Sequence, residues 1–232
     1  AQAARTLALE WARDGIRVAA YEAGRYAVAA KAFQASLTEQ PAAGTLVNLG
    51  LAEWRGGRTG EAVLVGQRAA WLDPFRRDAR SNLSFAAETT CINPPNLTWY
   101  ETASTWLTAN GWTWIAGGSL WLAVGMVTVP GFLRMRKAGW HQATASVAVG
   151  LFLFSLPPSL GVVTRSNVGI VVDKNTALLL TPTHAGEVIA TLPAGEAVRR
   201  LRTRGNYDYV STQNGGGWVE RGQLEFICPA GA

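Results

Sequence analysis

The chain of 232 residues carries 21 Lys and Arg against 16 Asp and Glu, a formal net charge of +5, and is 48% hydrophobic but only 16% charged. An ordinary soluble domain holds roughly 25% charged residues, and the deficit here is local: between Glu101 and Arg165 the only charges are Arg134, Arg136 and Lys137. Much of the positive excess therefore sits in one cluster between near-neutral flanks, which argues against the continuous basic face that nucleic-acid binding needs.

The first segment repeats. Gly24, Tyr26, Ala29, Phe33 and Pro41 are echoed by Gly57, Ala62 and Pro74, and Asn48-Leu49 recurs as Asn82-Leu83. A glycine in each turn supplies φ > 0, a small residue lets two helices approach, and a proline ends the second helix of each pair. The stretch Asp78 to Thr90 adds a helix that covers the last repeat. Thr59 and Gly66 replace the aromatic positions of the first repeat (Gly66 standing where Phe33 does), which predicts looser packing there. The period and its order of small, aromatic and proline positions resemble the tetratricopeptide repeat over about residues 8–91. In that family the first helices line a peptide-binding groove. The resemblance implies Tyr21, Asn48, Leu51, Trp54, Arg55, Asn82 and Phe85 as groove-facing candidates, with the asparagines bonding the backbone of an extended ligand. Leu51 and Trp54 read equally well as packing against the neighbouring helix pair.

The middle segment is uncharged from Trp112 to Leu133 and again from Ala143 to Thr164. Each run is long enough to span ~30 Å of hydrocarbon at 1.5 Å per residue. Trp99, Tyr100, Trp106, Trp112 and Trp114 gather near one end and Trp140 stands at the other, as tryptophan prefers a membrane interface. The basic link from Arg134 to Gln142, with Arg134, Arg136 and Lys137, is expected in the cytoplasm by the positive-inside rule, with both flanking domains outside it. Export of the first domain implies a signal peptide in the precursor; the Ala-Gln-Ala start fits either a mature end or a piece of a longer chain. Neither span holds Asp, Glu, Lys or Arg, so the hairpin reads as an anchor rather than an ion path.

After Arg165, short β-rich runs alternate with turns: Gly169–Asp173, Ala177–Leu180, Glu187–Thr191, Ala197–Arg202, Tyr207–Ser211 and Gly217–Glu220. Arg199, Arg200, Arg202 and Arg204 read as a solvated strand edge. Val188 to Glu196, Tyr207 after a Gly-Asn turn, and Gly217-Trp218-Val219 resemble a bacterial SH3-like domain. The resemblance implies a small β-barrel that binds peptides or cell-wall glycopeptide through Tyr207, Tyr209 and Trp218. Core is the competing role for these aromatics, and for Trp218 the first one.

No catalytic cluster is visible. His141 and His184 have no partners at metal-ligand spacing, no Gly-rich loop precedes a helix with a lysine, and no cofactor is expected. Cys91 and Cys228 could pair in an oxidising compartment, but spacing alone does not bring them together.

The expected fold is multi-domain, α plus membrane plus β. It comprises a tetratricopeptide-like α-solenoid (1–92), a linker or interfacial segment (93–111), a transmembrane helical hairpin (112–164, spans 112–133 and 143–164) and a C-terminal SH3-like β-barrel (165–232). This domain order resembles the BatE family, the tetratricopeptide proteins of the bacterial Bat aerotolerance operon. The resemblance implies an inner-membrane scaffold, not an enzyme, with both soluble domains periplasmic. Its partners would be the lipid bilayer and von Willebrand A-type membrane proteins, and a MoxR-type ATPase could reach only the Arg134–Gln142 loop. A cell-wall sensor binding peptidoglycan through the barrel is the alternative.

Overall fold

The computed structural model describes residues 24–132, 139–213 and 215–228, in two compact units. One unit joins residues 24–96 with 167–228; the other comprises 97–166. Tyr21 and the loop cations Arg134, Arg136 and Lys137 lie outside the described residues.

The first unit begins with four helices: α1 (Tyr26–Glu39), α2 (Ala43–Arg55), α3 (Thr59–Leu72) and α4 (Arg77–Thr90). α1 and α3 are both 14 residues long and start 33 residues apart (59 − 26), so the sequence period is a structural one. The turns ahead of them use Gly24 at φ 72° and Gly57 at φ 78°, a left-handed conformation that glycine adopts without a Cβ penalty. Pro41 and Pro74 follow the ends of α1 and α3, as their missing N–H demands. Ala29, Ala30, Phe33, Leu49, Ala52 and Val65 form the core of α1–α3, and Val47, Ala69 and Ala79 carry it on to α4. Buried Glu53 on α2, 2% exposed, is met by the Arg58 guanidinium at the start of α3.

The strands of the same unit are β1 (Val168–Val171), β2 (Thr176–Leu179), β3 (Val188–Leu192), β4 (Ala197–Arg204), β5 (Tyr207–Thr212), β6 (Gly215–Glu220) and β7 (Leu224–Phe226). They form one antiparallel sheet in the order β3-β2-β6-β5-β4-β1-β7. Each strand sends one residue (Val171, Leu178, Leu192, Val198, Val210, Val219 or Leu224) into a shared core cluster. The expected barrel is corrected: the sheet is open, because β3 pairs only with β2 and β7 only with β1. The arginine tract is corrected too. β4 is an interior strand between β5 and β1, and a bulge between Arg200 and Arg202 interrupts its ladder. Arg202 and Arg204 are exposed, while the Arg200 guanidinium lies 4.0 Å over the Phe226 ring.

The repeats and the sheet, expected as separate domains, belong to one unit in which α3 packs onto β1. Gly60 lies so close to β1 that a Cβ on it would meet the Val171 and Val172 carbonyls. Arg68 Nη2 donates to Glu225 Oε2 and to the Phe226 carbonyl, each at 3.0 Å. Gly195, at φ 94°, closes against Ile92 and Val63, and Arg199 donates to the Asn96 carbonyl at 3.1 Å.

The second unit holds α5 (Trp99–Ser104), α6 (Ala109–Phe132) and α7 (Gly139–Arg165). Thr98 and Glu101 close a reciprocal capping box on α5. Gly161 of α7 lets the α5 backbone approach, since a Cβ there would lie 2.9 Å from the Tyr100 carbonyl carbon. Ser104 accepts from Trp112 Nε1 through its carbonyl (3.3 Å) and from Arg165 through its hydroxyl (3.0 Å). α6 and α7 pack along each other, and both are long and apolar enough to cross a membrane. They bury little of that surface against protein: Trp121 is 76% and Phe132 89% exposed. α7 starts at Gly139, so Trp140, His141 and Gln142, expected in the loop, are helical.

Candidate functional site

α2, α3 and α4 enclose a cavity of about 550 Å³. Val47, Gly50, Leu51, Trp54 and Arg55 reach it from α2 at the i, i+3, i+4, i+7, i+8 spacing of one helix face. Ala79, Asn82, Leu83, Phe85 and Ala86 reach it from α4, and Ala62 and Gly66 line it from α3. The small α3 residues make the space. Where Phe33 fills the first repeat, Gly66 leaves room, and Leu83 leans over it so closely that a Cβ would lie 2.9 Å from Leu83 Cδ2.

Trp54 and Phe85 face each other across the cavity edge to face, with centroids 5.8 Å apart and planes at 64°. Such pairs contribute about 0.5–1.5 kcal/mol beyond burial. Phe85 remains largely exposed at the rim. The Asn82 amide and the exposed Arg55 guanidinium have no hydrogen-bond or ion-pair partner among the described residues. An apolar aromatic trough with a free amide and a free cation can hold an extended chain, the amide bonding its backbone and the cation its carboxylates.

Five of the seven groove residues expected from the sequence (Leu51, Trp54, Arg55, Asn82 and Phe85) thus meet at one cavity. Asn48 does not: it is exposed on α2 and outside the lining. The other lining residues were missed: Val47, Gly50, Ala79, Leu83 and Ala86, which successive steps of three or four from Trp54 and Asn82 reach, and Ala62 and Gly66 on α3, which no spacing within α2 or α4 marks.

On the sheet, Tyr207, Tyr209 and Trp218 share the face opposite Val210 and Val219, whose side chains are wholly buried in the core. Tyr209 and Trp218 are cross-strand partners in edge-to-face contact at 5.2 Å, both half-buried. Trp218 is therefore not part of the strand core. Tyr207 differs: it is 7% exposed, with His184 packed edge-on at 5.8 Å, so it does not display itself to a ligand. Cys91, exposed, and Cys228 are free thiols in this structure, not a bridge. Among the described residues no group of three His, Cys, Asp or Glu could hold a metal ion.

Comparison of the chain with protein-family models, with curated proteins and with solved structures returns no match.

Proposed function

We propose that this protein is a membrane-anchored scaffold of the BatE type. It holds a peptide-binding helical repeat on the periplasmic side of a bacterial inner membrane and engages von Willebrand A-type membrane proteins there. The observation that carries the reading is the α2–α4 cavity, with its facing aromatics and unpartnered Asn82 and Arg55. The membrane part rests on α6 and α7, whose apolar surface is left largely uncovered by protein. Residues 24–96 and 167–228 fold into one unit, so both must lie on the same side of a bilayer. An even number of crossings between them meets that demand, and two helices of this length supply it. The basic loop then faces the cytoplasm, where a MoxR-type ATPase would meet it.

The test uses the full chain in phospholipid nanodiscs and the purified A domain of such a neighbour, with binding followed by interferometry. Phe85 is exposed, so Phe85→Ala should leave the fold intact and weaken capture at least tenfold, as truncating an interface hot spot does. No capture by the native chain, or capture by Phe85→Ala and Asn82→Ala as strong as by the native chain, overturns the proposal. The Tyr209–Trp218 pair on the outer sheet face supports the second reading, a peptidoglycan sensor. Cosedimentation with sacculi that Trp218→Ala abolishes would favour it over the scaffold.

A further inference from the structure

A second cavity, of about 290 Å³, opens where residues 91–93 after α4 meet the sheet. Leu178, Ile189 and Leu192 give it its apolar contacts; Cys91, Asn93, Thr191, Glu196 and Thr212 supply polar side chains. Glu196 stands in the β3–β4 turn just ahead of β4, and only 7% of its surface remains exposed. Among the described residues its carboxyl has neither an ion-pair nor a hydrogen-bond partner. Burial alone lifts its pKa above the ordinary carboxylate value, with no neighbouring charge contributing. A largely buried carboxylate without a counter-ion is an energetically poor arrangement in a free protein, and a cation that fits the cavity relieves it. Beside it runs β3, whose outer edge has no strand partner among the described residues and whose Val188 and Ile189 are exposed. An extended chain can pair with such an edge and point alternate side chains at the sheet.

We propose that this cavity is a site for a primary alkylammonium group, presented as a lysyl side chain by an extended segment of a partner polypeptide. The aliphatic stem packs against Leu178, Ile189 and Leu192, and the ammonium meets Glu196. The site is separate from the α2–α4 cavity and stands or falls independently of it.

The experiment is calorimetric titration of the full chain in nanodiscs with acetyl-Ala-Lys-Ala-amide, with the norleucine peptide, which keeps the four-carbon stem and lacks the ammonium, and with 1,5-diaminopentane. The lysine peptide is expected to bind at least tenfold more tightly than the norleucine peptide, and Glu196→Gln should erase that difference. Glu196→Gln removes a buried charge without changing shape, so it is expected to fold. A readout on the native side chain guards against the contrary: in a Cys228→Ser background the lysine peptide should slow alkylation of exposed Cys91 by N-ethylmaleimide, and the norleucine peptide should not. Equal affinity for the two peptides, or unchanged selectivity in Glu196→Gln, overturns the proposal. Binding of the diamine without the peptide overturns its polypeptide source.

Discussion

Replacing Gly60 by alanine puts a methyl group into the seam between helix α3 and strand β1. That Cβ would lie 2.7 Å from the Val171 carbonyl oxygen and closer still to that of Val172. The Val171 carbonyl is not free to retreat. Its oxygen accepts from Gly195 N at 2.7 Å, and the N–H of the same peptide unit, that of Val172, donates to Gln223 O at 3.1 Å. Restoring a carbon–oxygen distance of about 3.3 Å needs roughly 0.6 Å of separation at the Val171 oxygen and roughly 1 Å at the nearer Val172 oxygen. The same movement stretches both bonds from Arg68 to Glu225 and Phe226. Overpacking of this kind destabilises by about 1–3 kcal/mol, against which alanine gains up to about 1 kcal/mol of helix propensity over glycine. The net expected loss is about 1–2 kcal/mol, a shift of roughly 0.5–1 M in the urea midpoint at the slopes typical of small proteins. Urea unfolding of the full chain in micelles, followed by tryptophan fluorescence, measures it. Gly222→Ala, whose Cβ would meet nothing within 4 Å, serves as the neutral control. A Gly60→Ala midpoint equal to that of the control would refute the seating of α3 on the sheet.

Arg58→Met leaves the Glu53 carboxylate buried and without its cation. Removing one member of a fully buried pair destabilises by about 3–5 kcal/mol. Half of the Arg58 side chain is solvated, so about 2 kcal/mol is expected by thermal melting, and Glu53→Met in the same chain should recover most of it. Glu61 and Glu196 both sit above the ordinary carboxylate value of 4.5. Burial is the main cause at both; at Glu61 the charges of Glu225 and Glu53 add to it, and Arg68 and Arg58 oppose. A carboxyl with a higher pKa folded than unfolded binds its proton more tightly in the native state. Its contribution to stability is therefore complete below about pH 4.5 and is lost as pH rises through the folded value. The pair Glu61→Gln, Glu196→Gln should flatten that decline, and melting temperatures between pH 4 and 7 that run parallel to the native chain would contradict it.

Much of the helical architecture was legible because its determinants are local. Gly24 and Gly57 mark turns that only positive φ closes, Pro41 and Pro74 mark ends, and the uncharged runs mark the two long helices. The groove residues were legible for the same reason, since a helix face is a spacing rule, and Asn48 missed the lining because it stands at the margin of that face. What the sequence hid is long-range. The docking of α3 on β1 depends on Gly60, Arg68 and Gly195, which carry no local signal and meet across more than a hundred residues. β7 is three residues long behind a single 3₁₀ turn at Arg221–Gln223, too short for an alternation pattern to register. The openness of the sheet, and with it the free edge of β3, depends on which strands pair, and alternation within a strand says nothing of that. Tyr207 looked like a displayed aromatic because nothing near it in sequence announces that His184 folds over it.

The central claim, one folded unit held on one side of a membrane by a two-helix hairpin, is tested most directly by topology mapping. Single cysteines at Thr38, Lys174 and Ala138, in a Cys91→Ser, Cys228→Ser background, would be treated with a maleimide that cannot cross the inner membrane. The account predicts labelling of Thr38→Cys and Lys174→Cys in intact cells and of Ala138→Cys only after lysis. Labelling of Ala138→Cys alone would invert the orientation, and opposite outcomes at Thr38→Cys and Lys174→Cys would contradict both the hairpin and the single unit.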